Sequence, residues 1–177
     1  MTTTKWGLDA AHSEINFKVK HMMIANVSGN FTKFNVNAET EGDDFSKAKI
    51  NFTADTASIY TNNEQRDGHL KSPDFFDAEK FPQLKFESDS ITKKSDDEYV
   101  MNGNLTIKDV TKPVALNLNF GGIGKDPYGN TKAGFTVEGK INRKDFGLTW
   151  NAALETGGML VGEDLKIHSE IQLAKQA

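Results

Sequence analysis

The sequence predicts an all-β domain, a closed barrel of about eight antiparallel strands with a short helix after about residue 62. Three observations predict it: apolar and polar residues alternate along most of the chain, turn-forming residues separate the alternating segments, and one segment breaks the alternation. Period-two alternation is typical of a strand with one wet and one dry face. Closure into a barrel removes exposed sheet edges, although alternation alone leaves an open sandwich as the alternative.

The predicted strands place a row of apolar residues on one dry face. These residues are Ile15, Phe17 and Val19; Ala48, Ile50, Phe52 and Ala54; Leu84 and Phe86; Tyr99, Met101, Leu105 and Ile107; Val114, Leu116, Leu118 and Phe120; Phe135, Val137 and Ile141; and Leu165, Ile167, Ile171 and Leu173. Between Val27 and Ala38 the parity changes, and a bulge near Thr32-Lys33 would restore a continuous inner face. Turns are predicted at residues 41–43, 95–97, 121–122, 126–130 and 156–158.

The segment without alternation, residues 62–72, is predicted to form a short helix with an asparagine cap at its start. Helical spacing then places Arg66, His69 and Leu70 on one face. The loop that follows, residues 74–82, carries three phenylalanines and is a candidate gate for an interior cavity.

Length and composition limit the classes of protein. The 177 residues suit a single domain, residues 1–177, and the absence of cysteine excludes disulfides and thiolate chemistry. The net charge of -4 with mixed signs argues against a nucleic-acid or anionic-membrane surface, which needs a basic patch. No apolar run is long enough to span a bilayer, and the start of the sequence has no signal core. We expect a cytoplasmic protein as numbered, or a periplasmic or secreted one if a leader was removed.

The dry face combines many of the twelve phenylalanines with Gly29, Gly103 and Gly139. One interpretation is that the glycines permit the bends of a small barrel. The other is that missing side chains leave room for an elongated apolar ligand in a cavity of roughly 300–1,000 Å³. Eight strands form a barrel just wide enough for one small ligand, and each buried methylene contributes about 0.8 kcal/mol.

Polar residues near the dry face are few. His21 lies at a strand end, where a lone histidine is more often a hydrogen-bonded core or rim residue than a ligand contact. The two arginines, Arg66 and Arg143, either pin loops by pairing with a carboxylate such as Asp67 or Asp145, or meet a polar head group at the barrel mouth.

Catalytic and metal motifs are absent from the sequence. Asp9 and the run His12-Ser13-Glu14 supply a Ser-His-acid set that chance readily produces, without a nucleophile elbow. The four histidines show no metal-ligand spacing, and no phosphate loop or dinucleotide fingerprint is present. We therefore predict no catalytic residues, no metal and no cofactor.

Two blocks carry a resemblance to a known family: Arg66-Asp67-Gly68-His69-Leu70-Lys71-Ser72-Pro73-Asp74-Phe75-Phe76-Asp77 and Leu105-Thr106-Ile107-Lys108-Asp109-Val110-Thr111-Lys112-Pro113-Val114. Shorter matches lie at residues 9–13, 17–21, 29–31, 58–62, 81–82, 86–88 and 143–148. Through these motifs the chain resembles the YceI-like family of polyisoprenoid-binding, lipocalin-like proteins. The resemblance implies an extended eight-stranded antiparallel lipocalin-like barrel with a helix packed nearby. It further implies a long apolar pocket for quinone tails, polyprenyl phosphates or other long-chain amphiphiles, frequent dimers and no shared catalytic set.

The leading hypothesis is a protein that binds or carries a long-chain isoprenoid or similar amphiphilic lipid, with no nucleic-acid partner, no membrane span and a possible homodimer. Its predicted ligand-binding residues are Phe17, Val19, His21, Phe31, Phe52, Arg66, His69, Phe75, Phe76, Phe86, Leu105, Leu116, Leu118, Phe120, Phe135, Val137 and Arg143. The alternatives are a lipid- or isoprenoid-modifying enzyme that uses His21 or His69, and a ligand-free stress-response module with a solid core.

Overall fold

The computed structural model describes residues 3–155 and 158–176. Its elements in chain order are β1 (Thr3–Leu8), β2 (Glu14–His21), β3 (Ala25–Phe31), β4 (Phe34–Glu41), β5 (Asp44–Asp55), β6 (Ile59–Tyr60), α1 (Glu64–Lys71), β7 (Gln83–Lys93), β8 (Glu98–Ile107), β9 (Val110–Lys125), β10 (Thr131–Asn142) and β11 (Val161–Lys175). Short 3-10 helices lie at Ala10–His12, Thr56–Ser58 and Arg143–Phe146. No helix among the described residues is long and apolar enough to cross a bilayer.

The sheet closes into an antiparallel barrel in the order β1-β4-β5-β7-β8-β9-β10-β11, because β1 pairs with both β4 and β11. The strands β2, β3 and β6 extend this barrel at one end, where β2 pairs with the first part of β11. β2 continues the path of β1, β3 leads into β4, and β6 continues β5. The predicted extended eight-stranded barrel is confirmed over the open sandwich.

The inner face is continuous across the point where the sequence changes parity. β3 ends at Phe31 and β4 begins at Phe34, so Thr32 and Lys33 form the break. Phe31 and Val36 are both buried. The predicted irregularity is confirmed, as a two-residue interruption between strands.

The first strand, β1, was not predicted from the sequence. Its segment is short, and its one fully buried side chain is Trp6, which is 1% exposed. The Trp6 indole donates a hydrogen bond to Thr40 Oγ1 on β4 at 2.9 Å. A single buried aromatic residue beside a glycine gives too little alternation to mark a strand.

The turn predicted at residues 121–122 is wrong, because β9 continues through it to Lys125. Gly134 of β10 faces Gly122, and the next residue, Phe135, faces Phe120, which leaves Gly121 as an extra residue in β9. Gly121 and Gly122 therefore form a β-bulge that bends β9. Turns at 41–43, 95–97 and 126–130 are confirmed, whereas Thr156 and Gly157 of the last predicted turn lie outside the described residues.

The two ends of the barrel differ in their packing. At the end that carries the turns at 41–43, 95–97 and 126–130, called the closed end below, aromatic rings fill the interior. At the opposite end, called the open end, the chain supplies the β2–β3 hairpin, α1 with its following loop, and residues 143–155 and 158–160. The rest of the barrel interior, up to the open end, is hollow.

Candidate ligand-binding cavity

The barrel encloses a cavity of about 560 Å³, which lies within the usual size range of small-molecule sites. Along β11 its wall runs from Val161 to Leu173, and residues of β2, β5, β8 and β9 complete it. Twelve residue steps span roughly 40 Å of strand, or about 30 Å along the axis of a barrel with strands tilted near 40°. The cavity is therefore long and narrow.

Nearly all of the residues predicted to bind a ligand lie on the cavity wall. They are Phe17, Val19, His21, Phe31, Phe52, Arg66, His69, Phe75, Phe76, Phe86, Leu105, Leu116, Leu118, Phe135, Val137 and Arg143. The exception is Phe120, the cross-strand partner of Phe135, which stacks on that ring with centroids 5.1 Å apart and is not part of the cavity wall. A binding role for these side chains stays a prediction.

The floor of the cavity is an aromatic cluster that the sequence did not reveal. The Phe45 ring lies 5.0 Å from Trp6, 4.9 Å from Phe135 and 5.6 Å from Phe120, measured between centroids. Phe45 is out of phase with the alternation of residues 48–54, because the pairing of β4 with β5 shifts register between Glu39 and Glu41. This cluster closes one end of the lumen.

The wall glycines accommodate neighbouring side chains. A Cβ on Gly29 would lie 2.6 Å from Phe17 Cζ, and a Cβ on Gly139 would lie 2.4 Å from Leu116 Cδ2. Both contacts reach across to the adjacent strand, so the larger side chain leans along the wall. The glycines at 29 and 139 thus leave room for side chains of the neighbouring strands.

Helix α1 is anchored at the open end through Thr61. The Asn63 side chain caps the helix by accepting from the Arg66 backbone N–H at 3.0 Å, as predicted for an asparagine cap. Arg66 donates from Nε to Thr61 Oγ1 at 2.8 Å, and the buried Asp67 accepts from the Thr61 N–H at 2.8 Å. The predicted pairing of Arg66 with Asp67 is wrong, because both bind Thr61 instead.

Arg143 is a buried loop anchor. It is 2% exposed, and four of its N–H groups donate to the backbone carbonyls of Leu148, Trp150, Val161 and Gly162. Burial lowers the pKa of its guanidinium below the ordinary arginine value. Its predicted role as a loop pin is confirmed, although carbonyl oxygens take the place of the expected carboxylate. Few donors remain for a head group.

An aromatic group borders the cavity at the open end. The His69 ring lies edge-on to Trp150 at 4.6 Å and to Phe75 at 5.1 Å. The His69 ring also hydrogen-bonds to Asp74 through Nε2 at 2.9 Å. Phe75 and Phe76 are buried, and whether their loop moves as a gate stays a prediction. Trp150 was missed, because it lies outside any alternating segment.

The Asp9, His12 and Ser13 set is not arranged as a nucleophile with its base. The Ser13 hydroxyl donates to the Gln172 carbonyl at 3.3 Å, whereas His12 Nδ1 contacts Asp9 at 2.8 Å. Lys132 also donates to Asp9, and these two contacts hold the pKa of the Asp9 carboxyl below its usual range. Within the described residues, no three His, Asp or Glu side chains cluster as metal ligands.

A closed eight-stranded barrel around an elongated apolar cavity defines the class of lipocalin-like barrels. Residues 6–173 match the model of the YceI-like domain, and the chain belongs to this family. It is 39% identical over 172 residues to a UPF0312 protein of Staphylococcus aureus strain N315, covering 97% of this chain and 98% of the relative.

Solved structures share the fold. BcnA of Burkholderia cenocepacia superposes with a TM-score of 0.81 at 22% identity, over 93% of this chain and 98% of BcnA. A polyisoprenoid-binding domain of Saccharophagus degradans, implicated in plant cell wall breakdown, superposes with a TM-score of 0.73 at 12% identity, over 97% of this chain and 98% of that domain. At these identities the similarity establishes the barrel architecture.

Proposed function

We propose that the protein binds one long-chain isoprenoid or similar amphiphile, with its tail in the lumen and its head group at the open end. The observation that carries this proposal is the cavity itself: it is apolar, elongated and closed by the Phe45 cluster at one end. Each methylene of a tail buried there contributes about 0.8 kcal/mol before ordering costs, so affinity grows with chain length. The polyisoprenoid binding named for the Saccharophagus degradans domain supports this choice.

The head group is proposed to present acceptor oxygens, as a quinone or a polyprenyl phosphate does. His21, Arg66 and His69 lie on the wall at the open end and carry nitrogen donors. Apart from Asn16 and Ser169 at mid-height, the deeper wall is apolar within the described residues. A donor group at the mouth and hydrocarbon below it favour a ligand with one polar end. Because the cavity opens at one end, we further propose a carrier role.

Organic extraction of the purified protein, followed by native mass spectrometry, tests occupancy directly. We expect one long-chain compound per chain, removed by extraction and restored by a long-tailed ubiquinone or a polyprenyl phosphate. Recovery of no such compound, together with no saturable binding of either added lipid, would contradict the proposal.

Tryptophan quenching tests the orientation of the ligand. The two tryptophans lie at opposite ends, Trp150 on the cavity wall and Trp6 in the closed end. A bound quinone ring at the open end should quench Trp150, so Trp150→Phe should remove most of the quenching. Equal quenching in the wild type and in Trp150→Phe would contradict binding of the quinone ring at the open end.

A steric block provides the matched control. Leu118 lies on the cavity wall, and its neighbour Asn117 is exposed on the same strand. Leu118→Trp should lower affinity for the long-tailed quinone at least tenfold, whereas Asn117→Trp should leave it unchanged. Val137→Phe is a milder block for the case in which Leu118→Trp fails to fold. Unaltered affinity in both folded lumen variants would argue against tail binding in the barrel.

A further inference from the structure

The hairpin between β2 and β3 carries exposed apolar residues at its turn. Met22 is 45% exposed, Met23 is 56% exposed and Ile24 is 82% exposed. The Ile24 N–H donates to the His21 carbonyl at 3.3 Å, and φ is 53° at Met22 and 66° at Met23. The hairpin loop has three residues, 22–24, and positive φ at both central residues of its His21–Ile24 turn is typical of type I′, which favours Asn-Gly. Methionine at both positions is unfavourable for folding, which indicates another role for these side chains.

The hairpin turn is held against the rim of the cavity. The Met22 N–H donates to the carbonyl of Leu160, a wall residue, at 2.8 Å. Met23 Sδ lies 3.1 Å from the position of a Cβ on Gly158, and the adjacent Met159 is 44% exposed. Met22, Met23, Ile24 and Met159 therefore form one exposed surface beside the opening, called the apolar tip below.

A row of lysines crosses the outer face of the barrel near this tip. Lys140 of β10 pairs with Lys166 of β11, which pairs with Lys18 of β2. Lys20 lies two residues further toward the tip, and all four side chains are exposed. Like charges directly opposite each other destabilise a sheet, so these paired lysines, like the methionines of the turn, lower the stability of the fold. The sequence did not reveal this basic patch, because its members come from three separated strands.

Acidic groups near the row leave part of it uncompensated. Asp164 pairs with Lys140 at 3.2 Å and Glu163 pairs with Lys144 at 2.8 Å. Further down the wall, Glu138 and Glu170 both contact His168. Within the described part of the chain, the lysines at 18, 20 and 166 have no carboxylate within 4.0 Å. The patch keeps a net positive charge beside the apolar tip.

We propose that the open end docks on an anionic lipid bilayer, with the apolar tip inserted and Lys18, Lys20 and Lys166 against the head groups. Lys20 and Lys18 lie roughly 7 and 14 Å along the strand from Met22, so side chains inserted about 5–10 Å deep bring the lysines to head-group level. The charge of the row complements anionic lipid, and the cavity mouth then faces the membrane. The purpose of docking, exchange of the ligand with the bilayer, rests on the proposed function.

Vesicle co-sedimentation tests the docking. The probes are phosphatidylcholine vesicles with and without roughly one-third phosphatidylglycerol. We expect binding to the anionic vesicles, with loss on raising salt from about 0.1 to 0.5 M. Lys18→Gln and Lys166→Gln should each weaken binding about fivefold, whereas Lys93→Gln and Lys125→Gln at the closed end should not.

The tip is tested by a variant that also improves the turn. Met22→Asn with Met23→Gly installs the favoured type I′ residues, so the melting temperature should rise while vesicle binding falls at least tenfold. Tyr128→Ser is the matched control, because Tyr128 is 88% exposed in the closed-end turn. Unchanged vesicle binding in the double variant would overturn the proposal, as would a dimer in solution that the double variant dissociates.

The ligand assay separates docking from ligand binding. Equilibrium affinity for the long-tailed quinone, measured without vesicles, should be the same in the wild type and the tip variant. Wild-type protein that binds quinone but no anionic vesicle would overturn docking and leave the proposed function intact. If the protein binds vesicles through the tip but binds no lipid ligand, docking is supported. Exchange of a ligand with the bilayer is then not its purpose.

Discussion

Phe86 lies across the backbone of Gly103 on the neighbouring strand, with its Cζ 2.5 Å from the position that a Cβ on Gly103 would occupy. Phe86 is paired with Leu105, two residues from this glycine, so its side chain leans diagonally along the wall. The ring therefore occupies the space of a missing side chain. This packing keeps a large residue on the wall while the lumen stays open.

Gly103→Ala is expected to destabilise the protein by about 1–3 kcal/mol and to weaken ligand binding. The new Cβ would lie 2.3 Å from the Glu87 carbonyl oxygen and 2.5 Å from the ring of Phe86, a residue of the cavity wall, and we expect the ring to shift into the lumen. Urea unfolding of ligand-free protein measures the first effect, and quinone titration measures the second. Gly124→Ala is the control, since no described residue other than its chain neighbours has an atom within 4 Å of its Cβ position. Equal stability of the two variants would contradict the packing described above.

Phenylalanines of the floor and the wall should differ in their contribution to stability. Phe45 is 4% exposed and packs among three aromatic rings. Phe45→Ala should therefore reduce the free energy of unfolding by about 3–5 kcal/mol. Phe52 is only partly buried and borders the cavity, so Phe52→Ala should cost about 1–2 kcal/mol. Denaturant unfolding of extracted protein gives both values without the contribution of bound ligand. A larger loss for Phe52→Ala would mean that the lumen is packed.

Arg143→Lys is expected to reduce the free energy of unfolding by about 2–3 kcal/mol, because lysine cannot donate to four separated carbonyls. Arg66→Lys is the comparison, since the Arg66 side chain is partly exposed and, among the residues that the structure describes, hydrogen-bonds only to Thr61. Hydrogen exchange should show earlier opening of residues 147–151 and 160–162 in the Arg143 variant alone. Similar exchange in both variants would argue against the anchor.

The contact of Asp9 with Lys132 and His12 predicts a pH-dependent contribution to stability. Because the folded-state pKa of Asp9 lies below its unfolded value of about 4, the stabilisation is present above that pH and is lost as pH falls through the lowered pKa. Asp9→Asn should therefore lower the melting temperature at pH 7, and the difference should shrink below about pH 4.

An exposed ion pair provides the control for Asp9. The Asp43 carboxylate lies 3.3 Å from Lys175 Nζ, and its side chain is 55% exposed. Asp43→Asn should hardly change the melting temperature at any pH, since exposed pairs contribute little. A difference between wild type and Asp9→Asn that stays constant from pH 7 to about pH 3 would contradict the assignment to this carboxylate.

The sequence predicted most of the cavity wall, because each wall strand places alternate residues on one face. Phe17 and Leu116 were identified in this way, and both line the lumen. Phe45 was missed where a register shift changes the parity, and Trp150 was missed because it belongs to an irregular loop. These residues become part of the site through contacts that no local pattern encodes.

Alternation and turn chemistry in the sequence alone determined the antiparallel strands, the short capped helix and the apolar character of the inner face, whereas closure into a barrel depends on the pairing of β1 with β4 and β11. Tertiary structure decided where the lumen is filled and where it is open. The lumen is filled where aromatic rings pack against one another, as Phe45 and Phe135 do. It stays open where a ring packs over a glycine of the neighbouring strand, as Phe86 does. Tertiary structure also decided that lysines distant in sequence stand side by side. Strand pairing sets such neighbours, and pairing is a property of the folded chain.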